Sequence, residues 1–487
     1  MTDVDVAIVG SGPNGLSAAV TLARAGLSVI VYEAADTIGG GARTAALTLP
    51  GFQHDVCSAV HPQALASPFF RAFELQKRVQ FAVPELSYAH PLDGARAGFA
   101  YRDLDRTADA LGADGRAWVR MVRPLLDRLD GVIDFTGGPM LRMPRHPIAV
   151  ADFGLRALWQ GTRCWNLGFR GEIAPAMFAG VAAHAGGRLP SLGSAGAGLL
   201  LAAHAHAAGW PVPIGGSQSI VDVMAADIRA HGGRIVTGAP VQKLGDIASA
   251  TAVLFDTSPR EMVRIVGARV PDRYRQRAER FRYGSAVAKV DFALNGPVPW
   301  TNEEVAGAGT VHLGGARAQI ADAEFQVRAG RHPERPYVLL SQPSVFDPSR
   351  APAGRQALWA YMHVPLGSDL DPTETITAQI ERSAPGFREV ILASSARSAV
   401  GVEAYNPNYV GGDISGGEVS IAQLMRRPVL SGHPWVTPIR GTYLCSASTP
   451  PGPSVHGMGG WFAAIAALER SFGISEPPAL ELEAAAR

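Results

Sequence analysis

The order strand, glycine turn, helix, strand, acid over residues 5–33 leaves few folds open to this chain. Asp5-Val-Ala-Ile-Val9 is a compact, branched apolar run of strand type, followed at once by Gly10-Ser-Gly12-Pro-Asn-Gly15 and a helical pattern ending near Gly26. Gly10 permits a tight turn, Gly12 lets the backbone approach a pyrophosphate, and Gly15 allows the helix to pack closely on the sheet, with Pro13 and Asn14 at the helix start. The free N–H groups of that first turn favour phosphate. A second strand, Ser28-Val-Ile-Val-Tyr32, delivers Glu33 and Ala34; an acid there accepts hydrogen bonds from ribose hydroxyls and disfavours a 2′-phosphate. The whole arrangement points to dinucleotide binding. The alternative is a glycine-rich turn in some other α/β protein.

At 487 residues the chain is too long for one hydrophobic core, and its 47% hydrophobic residues supply enough material for two or three domains. A formal net charge of +1 and the lack of any dense basic run give no long-range pull on nucleic acid or anionic lipid. Nucleic acid is therefore not an expected partner. Cys57, Cys164 and Cys445 lie far apart and form no C-x-x-C pair, so neither a dithiol redox centre nor a metal site is indicated. Val4 to Val9 lacks a basic flank and runs into glycines, so it reads as a strand rather than a signal peptide. The longest apolar stretch, 195–209, is too short to span a bilayer. A cytoplasmic protein is expected.

After Glu33 come Ile38-Gly39-Gly40-Gly41-Ala42-Arg43-Thr44 and Gly51-Phe-Gln-His-Asp55. The run from Glu33 to Thr44 resembles the second glycine motif, G-G-R-x-R-T, of the amine oxidase and phytoene desaturase flavoproteins. Arg43 and Thr44 match it; Gly41 departs from it, so one guanidinium is missing and phosphate charge falls on Arg43. The resemblance implies FAD as cofactor, contacted through Gly40, Gly41, Ala42 and Arg43. Pro213-Ile-Gly-Gly216 leads into an amphipathic helix over about 219–230, then Gly232-Gly233, a strand at 234–237, and Val241. In the resembling proteins this segment returns to the FAD domain and a valine backbone caps the adenine. Val241 takes that role or that of a plain strand valine. Ala252-Val-Leu-Phe-Asp256, followed by Thr-Ser-Pro259, reads as the next strand and its turn.

Near the end, 441–446 reads as a short buried strand, Thr449-Pro-Pro-Gly-Pro453 as a rigid loop, and Val455-His-Gly-Met458 as the opening of a helix with Phe462, Ile465 and Leu468 on its apolar face. This resembles the C-terminal flavin motif of phytoene desaturase-like proteins. The resemblance implies a helix N-terminus aimed at the flavin pyrimidine, where it stabilises negative charge, with Ser448, His456, Gly457 and Met458 in contact. His456 could touch flavin or substrate, move a proton, or merely satisfy loop carbonyls. Cys445 reads as an inert buried thiol rather than a covalent flavin link.

Residues 76–204 and 286–424 carry no nucleotide motif and are expected to form a substrate domain, while 1–75, 205–285 and 425–487 form a discontinuous FAD-binding domain. The expected fold class is α/β: a Rossmann-like FAD-binding domain of glutathione reductase type with a mixed-sheet plus helical substrate domain. The stretch 173–209 reads as two apolar helices that line a cavity, rest on a membrane surface, or form ordinary core. Residues 286–294 and 357–364 alternate as strands. The loop 406–417 resembles a segment of the bacterial branch of phytoene desaturase-like oxidoreductases. Tyr409 and Asp413 are substrate-side candidates or turn formers, and His61 and His363 are substrate-side candidates or satisfied core histidines.

No second G-x-G-x-x-G occurs, because Gly307-Ala-Gly309 runs into Thr-Val-His-Leu, so independent NADPH binding is unsupported. Without redox cysteines, so is disulfide reduction. The resemblance over the whole chain implies a phytoene desaturase-like FAD-dependent oxidoreductase that takes hydride from a small, mostly apolar organic substrate onto flavin N5. Carotenoid, other isoprenoid, amine and cyclic ketone stay open, as do quinone, oxygen or another molecule as electron acceptor, and peripheral membrane contact as a further partnership. No side chain is required as an obligatory base, and none is assigned as catalytic. A non-redox flavin isomerase and a non-catalytic FAD-retaining interaction protein are the rival readings. Oligomeric state is not legible.

Overall fold

Five short apolar strands from three distant parts of the chain assemble into one parallel sheet, in the order Thr442–Leu444, Ala250–Phe255, Val4–Val9, Val29–Tyr32, Arg234–Val236. The computed structural model that shows this describes residues 3–482, without the side chain of Asn166. The ends of the expected FAD-binding segments, 1–2 and 483–487, lie outside the described residues. Val9 pairs with both Phe255 and Tyr32, so the carboxyl ends of three neighbouring strands come level at Gly10, Asp256 and Glu33. Crevices outside such ends are where open α/β sheets bind ligands.

Two helices seal one face of this sheet. Pro13–Arg24 buries its residues 14–23, and Met458–Phe472 packs against it. The approach is close enough that a Cβ on Gly460 would lie 1.7 Å from the Asn14 carbonyl oxygen. The buried stripe of the second helix is Met458, Gly459, Gly460, Ala463, Ala464, Ala467 and Leu468. Phe462 and Ile465, expected on that stripe with Leu468, are half-buried; Phe462 stacks on Trp435 at its flank instead. Small residues win the contact because only they allow the backbones to meet.

A second sheet of seven strands is mixed, in the order Ile391–Arg397, Ala286–Leu294, Gln356–Val364, Val338–Ser341, Ala308–Leu313, Leu86–Pro91, Ala97–Tyr101. All its pairings are antiparallel except that of 308–313 with 86–91. It is covered on both faces, and strand alternation divides each strand between two cores. Along 356–364, Leu358, Ala360 and Met362 join one apolar cluster, whereas Trp359 and Tyr361 join another with Phe178, Leu199 and Trp210.

That second cluster contains the helices Ile173–Ala183 and Leu192–His206. Residues 174–183 are all buried, so the first helix does not rest on a membrane surface; the second contributes Ala197 and Leu201 to a cavity wall. Among the described residues, no helix is long and apolar enough to cross a membrane.

The Gly460 contact has a direct consequence. Gly460→Ala should destabilise the protein by about 1–3 kcal/mol through overpacking. Gly154→Ala, in a helix where a Cβ would meet nothing within 4 Å, should be neutral or slightly stabilising. Thermal melts followed by circular dichroism check both; equal melting temperatures for the two variants would refute the packing account.

Candidate functional site

A cavity of about 750 Å³ opens at the carboxyl edge of the parallel sheet and runs to the mixed sheet and the helix 192–206. Its first wall is the glycine turn. Gly10 has a φ of 100°, a value glycine adopts freely, and the helix after it begins at Pro13 with no side-chain cap on Gly12. The two glycine motifs touch: a Cβ on Gly40 would lie 3.1 Å from the Gly12 Cα.

Asp256 completes this wall, and the sequence reading gave it no role. Gly15 N–H donates to its Oδ2 at 2.9 Å, and a Cβ on Gly12 would lie 2.5 Å from the same oxygen. Burial pushes its pKa up to about 7 against the opposing pull of the Gly15 N–H, with the nearby Glu33 charge adding to the rise. An acid at the carboxyl end of the strand beside a glycine loop was the available signal.

Glu33 accepts from Ser11 N–H (3.0 Å), the Ser11 hydroxyl and Ala35 N–H (2.9 Å), and pairs with Arg43 at 3.2 Å. Arg43 also donates to the Tyr405 hydroxyl at 3.1 Å. Its guanidinium therefore already has protein partners, while Arg43 also lines the cavity. Gly41 has its own explanation: a Cβ there would lie 2.2 Å from the Tyr409 hydroxyl. The side chain missing from the second motif leaves the space that Tyr409 fills.

The cavity brings together Gly10, Gly12, Pro13, Asn14, Glu33, Ala34, Gly40, Gly41, Arg43, Val241, Ser448 and Tyr409 from the sequence reading. The other candidates do not line it. Gly15 and Ala42 lie behind the turn, packed in its core. Gly457 is pinned by its carbonyl accepting from Ser17 at 2.6 Å, and Met458 is core. His456 Nε2 donates to Gly452 O at 3.2 Å and its Nδ1 accepts from Met458 N–H at 3.0 Å, so it caps its own loop.

Nor are three of the four substrate-side candidates at the cavity. Asp413 is fully buried and accepts N–H bonds from Gly284, Ser415 and Gly417 at 2.7–2.9 Å, which makes it a loop clasp. His61 bonds Ser217 at 2.7 Å and His363 bonds Glu324 at 2.7 Å, both as satisfied core groups. Missed by the sequence reading are His184, Trp210, Thr310, Trp359 and Tyr361, which form the far wall. Among the described residues, no group of three or more His, Cys, Asp or Glu could hold a metal ion.

Comparison with known proteins now bears on this geometry. The model of the NAD(P)-binding Rossmann-like domain matches residues 8–73. A pyridine nucleotide-disulfide oxidoreductase domain-containing protein 2 of Rattus norvegicus is 24% identical over 95% of this chain and 93% of its own length. Putrescine oxidase bound to putrescine superposes with a TM-score of 0.61 at 19% identity, covering 96% of this chain and all of that one. Cyclohexylamine oxidase from Brevibacterium oxydans superposes with a TM-score of 0.60 at 16% identity, covering 97% and 99%. The chain has the oxidoreductase fold of these enzymes. Its N-terminal unit is a Rossmann-type nucleotide-binding domain, and the cavity at its strand ends suits a flavin or nucleotide cofactor.

Asp256 makes stability depend on pH. Its folded pKa lies above the ordinary 3.8, so between about pH 4 and 7 the folded protein holds a proton that the unfolded chain has lost, and stability falls as pH rises through that window. Asp256→Asn keeps an acceptor for Gly15 N–H and removes the charge. The flavin-free variant should be more stable than wild type by roughly 1–2 kcal/mol at pH 8, since the carboxylate borders the cavity and water moderates its penalty, with no difference near pH 4. Melts at the two pH values check this; a constant offset would contradict it.

Proposed function

We propose that this chain is an FAD-dependent oxidoreductase of dehydrogenase or desaturase type, similar to the phytoene desaturase-like enzymes, acting on a small and mostly apolar organic substrate. The observation that carries this reading is the continuity of one cavity from the glycine turn to an aromatic wall. Gly12 at the head of the helix carries no side-chain cap, and two glycine motifs meet where larger residues would collide. These residues fit a dinucleotide whose diphosphate takes the helix N-terminus.

Gly10, Gly12, Pro13 and Asn14 would hold the diphosphate, Glu33 and Ala34 the ribose side, and Val241 the adenine side, with Gly40, Gly41 and Ser448 bordering the rest. FAD supplies the hydride acceptor when bound. The chain's part is to bind, orient and exclude water. Trp210, Leu339, Trp359 and Tyr361 present apolar surface where a C–H bond must be positioned, and no cavity-lining side chain is needed as an obligatory base. A cavity of this volume, shared between dinucleotide and substrate, favours a compact substrate over a long polyene. Reoxidation falls to a quinone, oxygen or another acceptor.

The purified protein should show flavin absorbance, and the band should bleach on anaerobic mixing with a substrate. Gly12→Val should lose the flavin, because its side chain collides with Asp256 and closes the turn; Glu33→Ala should retain less than wild type. Variants with wild-type flavin content would sink the assignment. Bound flavin that turns over substrate without net bleaching would shift the reading to a non-redox isomerase.

A further inference from the structure

Two histidines and a tryptophan meet at the far wall of the cavity. His184, just after the helix 173–183, lines the cavity and lies edge-on to Trp210 (ring centroids 5.6 Å apart, 72°) and to His312 (4.9 Å, 87°). Its Nε2 sits 2.8 Å from the Nε2 of fully buried His312, so a single proton is shared between them. Burial holds both rings neutral: that of His184 down at about 3, helped by His363, and that of His312 well below the ordinary value.

The direction of that shared bond decides what His184 offers the cavity. A neutral imidazole carries one N–H. If His184 donated, His312 would carry its proton on Nδ1, which is buried with no hydrogen-bond partner. Buried N–H groups without an acceptor are rarer in folded proteins than acceptors without a donor. His312 Nε2–H therefore donates to His184 Nε2, and the His184 proton sits on Nδ1, which is not among the buried unpartnered atoms and is left for a ligand. Trp359 and Thr310 share this wall, but the Trp359 indole nitrogen and the Thr310 hydroxyl oxygen are themselves buried, so the polar group at issue is His184. Among the described residues, no carboxylate lines this wall: the cavity's acids, Glu33, Asp256 and Glu261, all come from the nucleotide-binding segments.

We infer that His184 is the specificity-determining donor, and that the substrate presents an oxygen acceptor, of a ketone, ether or carboxylate, to His184 Nδ1–H. A protonated amine is rejected, because His184 offers it an N–H and the wall no counter-charge. This sets the chain apart from the amine oxidases whose fold it shares, and it rests on the reading of the cavity as a flavin-dependent active site. His184 is locked between Trp210 and His312, so the donor is oriented before the substrate arrives.

The test uses purified full-length protein with 15N-labelled histidine, and cyclohexanone and cyclohexylammonium as probes matched in shape. The His184 resonance, identified by its loss in His184→Leu, should show the Nδ1-protonated tautomer and should move with cyclohexanone only. His184→Leu should bind cyclohexanone about tenfold more weakly, the value of one hydrogen bond, and His184→Asn, which keeps an N–H near Nδ1, should recover most of it. An Nε2-protonated tautomer, a resonance that moves with cyclohexylammonium or with neither probe, or equal ketone affinity in wild type and His184→Leu would overturn the inference. Flavin content of the same sample separates the two claims: protein without flavin refutes the proposed function, while the tautomer and the probe response still decide the role of His184.

Discussion

The pairing of Val9 with Phe255 on one side and Tyr32 on the other is the constraint from which the rest follows. Parallel strands cannot be joined by tight hairpins, so the chain must leave the sheet and return between each pair. Those excursions build the mixed sheet and its helices. The same register sets Gly10, Asp256 and Glu33 level with one another, and so concentrates a helix N-terminus and two carboxylates at one edge. Glu33 is paired with Arg43 and N–H donors; Asp256 has backbone N–H groups of the glycine turn but no cationic partner to offset its burial, and keeps its proton to near-neutral pH.

Buried charge fastens the mixed sheet to this edge. Arg350 pairs with Asp55 at 2.9 Å and with Asp347 at 2.7 Å, all fully buried. Lys289, in the strand 286–294, donates to the carbonyls of Asp55 and Val56 and pairs with Asp291 at 2.9 Å. Such pairs add little net stability over apolar packing, but losing one partner strands the other charge at about 3–5 kcal/mol. Their value here lies in placement: they hold 54–56, just beyond the second glycine motif, against the sheet that carries Trp359 and Tyr361. Arg427 does the same for the C-terminal loops, donating to the carbonyls of Ser415, Gly417 and Ala447.

Burial separated candidates that composition had left equivalent. His61, His363, His456 and Asp413 carry side chains that could serve a site, yet each lies off the cavity and is hydrogen-bonded within the core or its own loop. His184 differs in lining the cavity while only its Nε2 is engaged by a protein group. Tyr409 reaches the second glycine motif because Gly41 leaves it room, a relation between positions some 370 residues apart that spacing along the chain does not carry.

The sequence by itself determined the strand, glycine turn and helix near the start, the strand that delivers Glu33, the strands 286–294 and 357–364, and two apolar helices within 173–209. Each of these is written in local periodicity, in glycine placement or in a run of branched side chains, which act over a few residues. Only the tertiary structure decided that Asp256 closes the glycine turn, that Arg43 pairs with Glu33, and that His184, Trp210 and Trp359 share a wall. Those outcomes depend on the burial and hydrogen-bond satisfaction of groups far apart in the chain, and such long-range pairing leaves no local pattern to read.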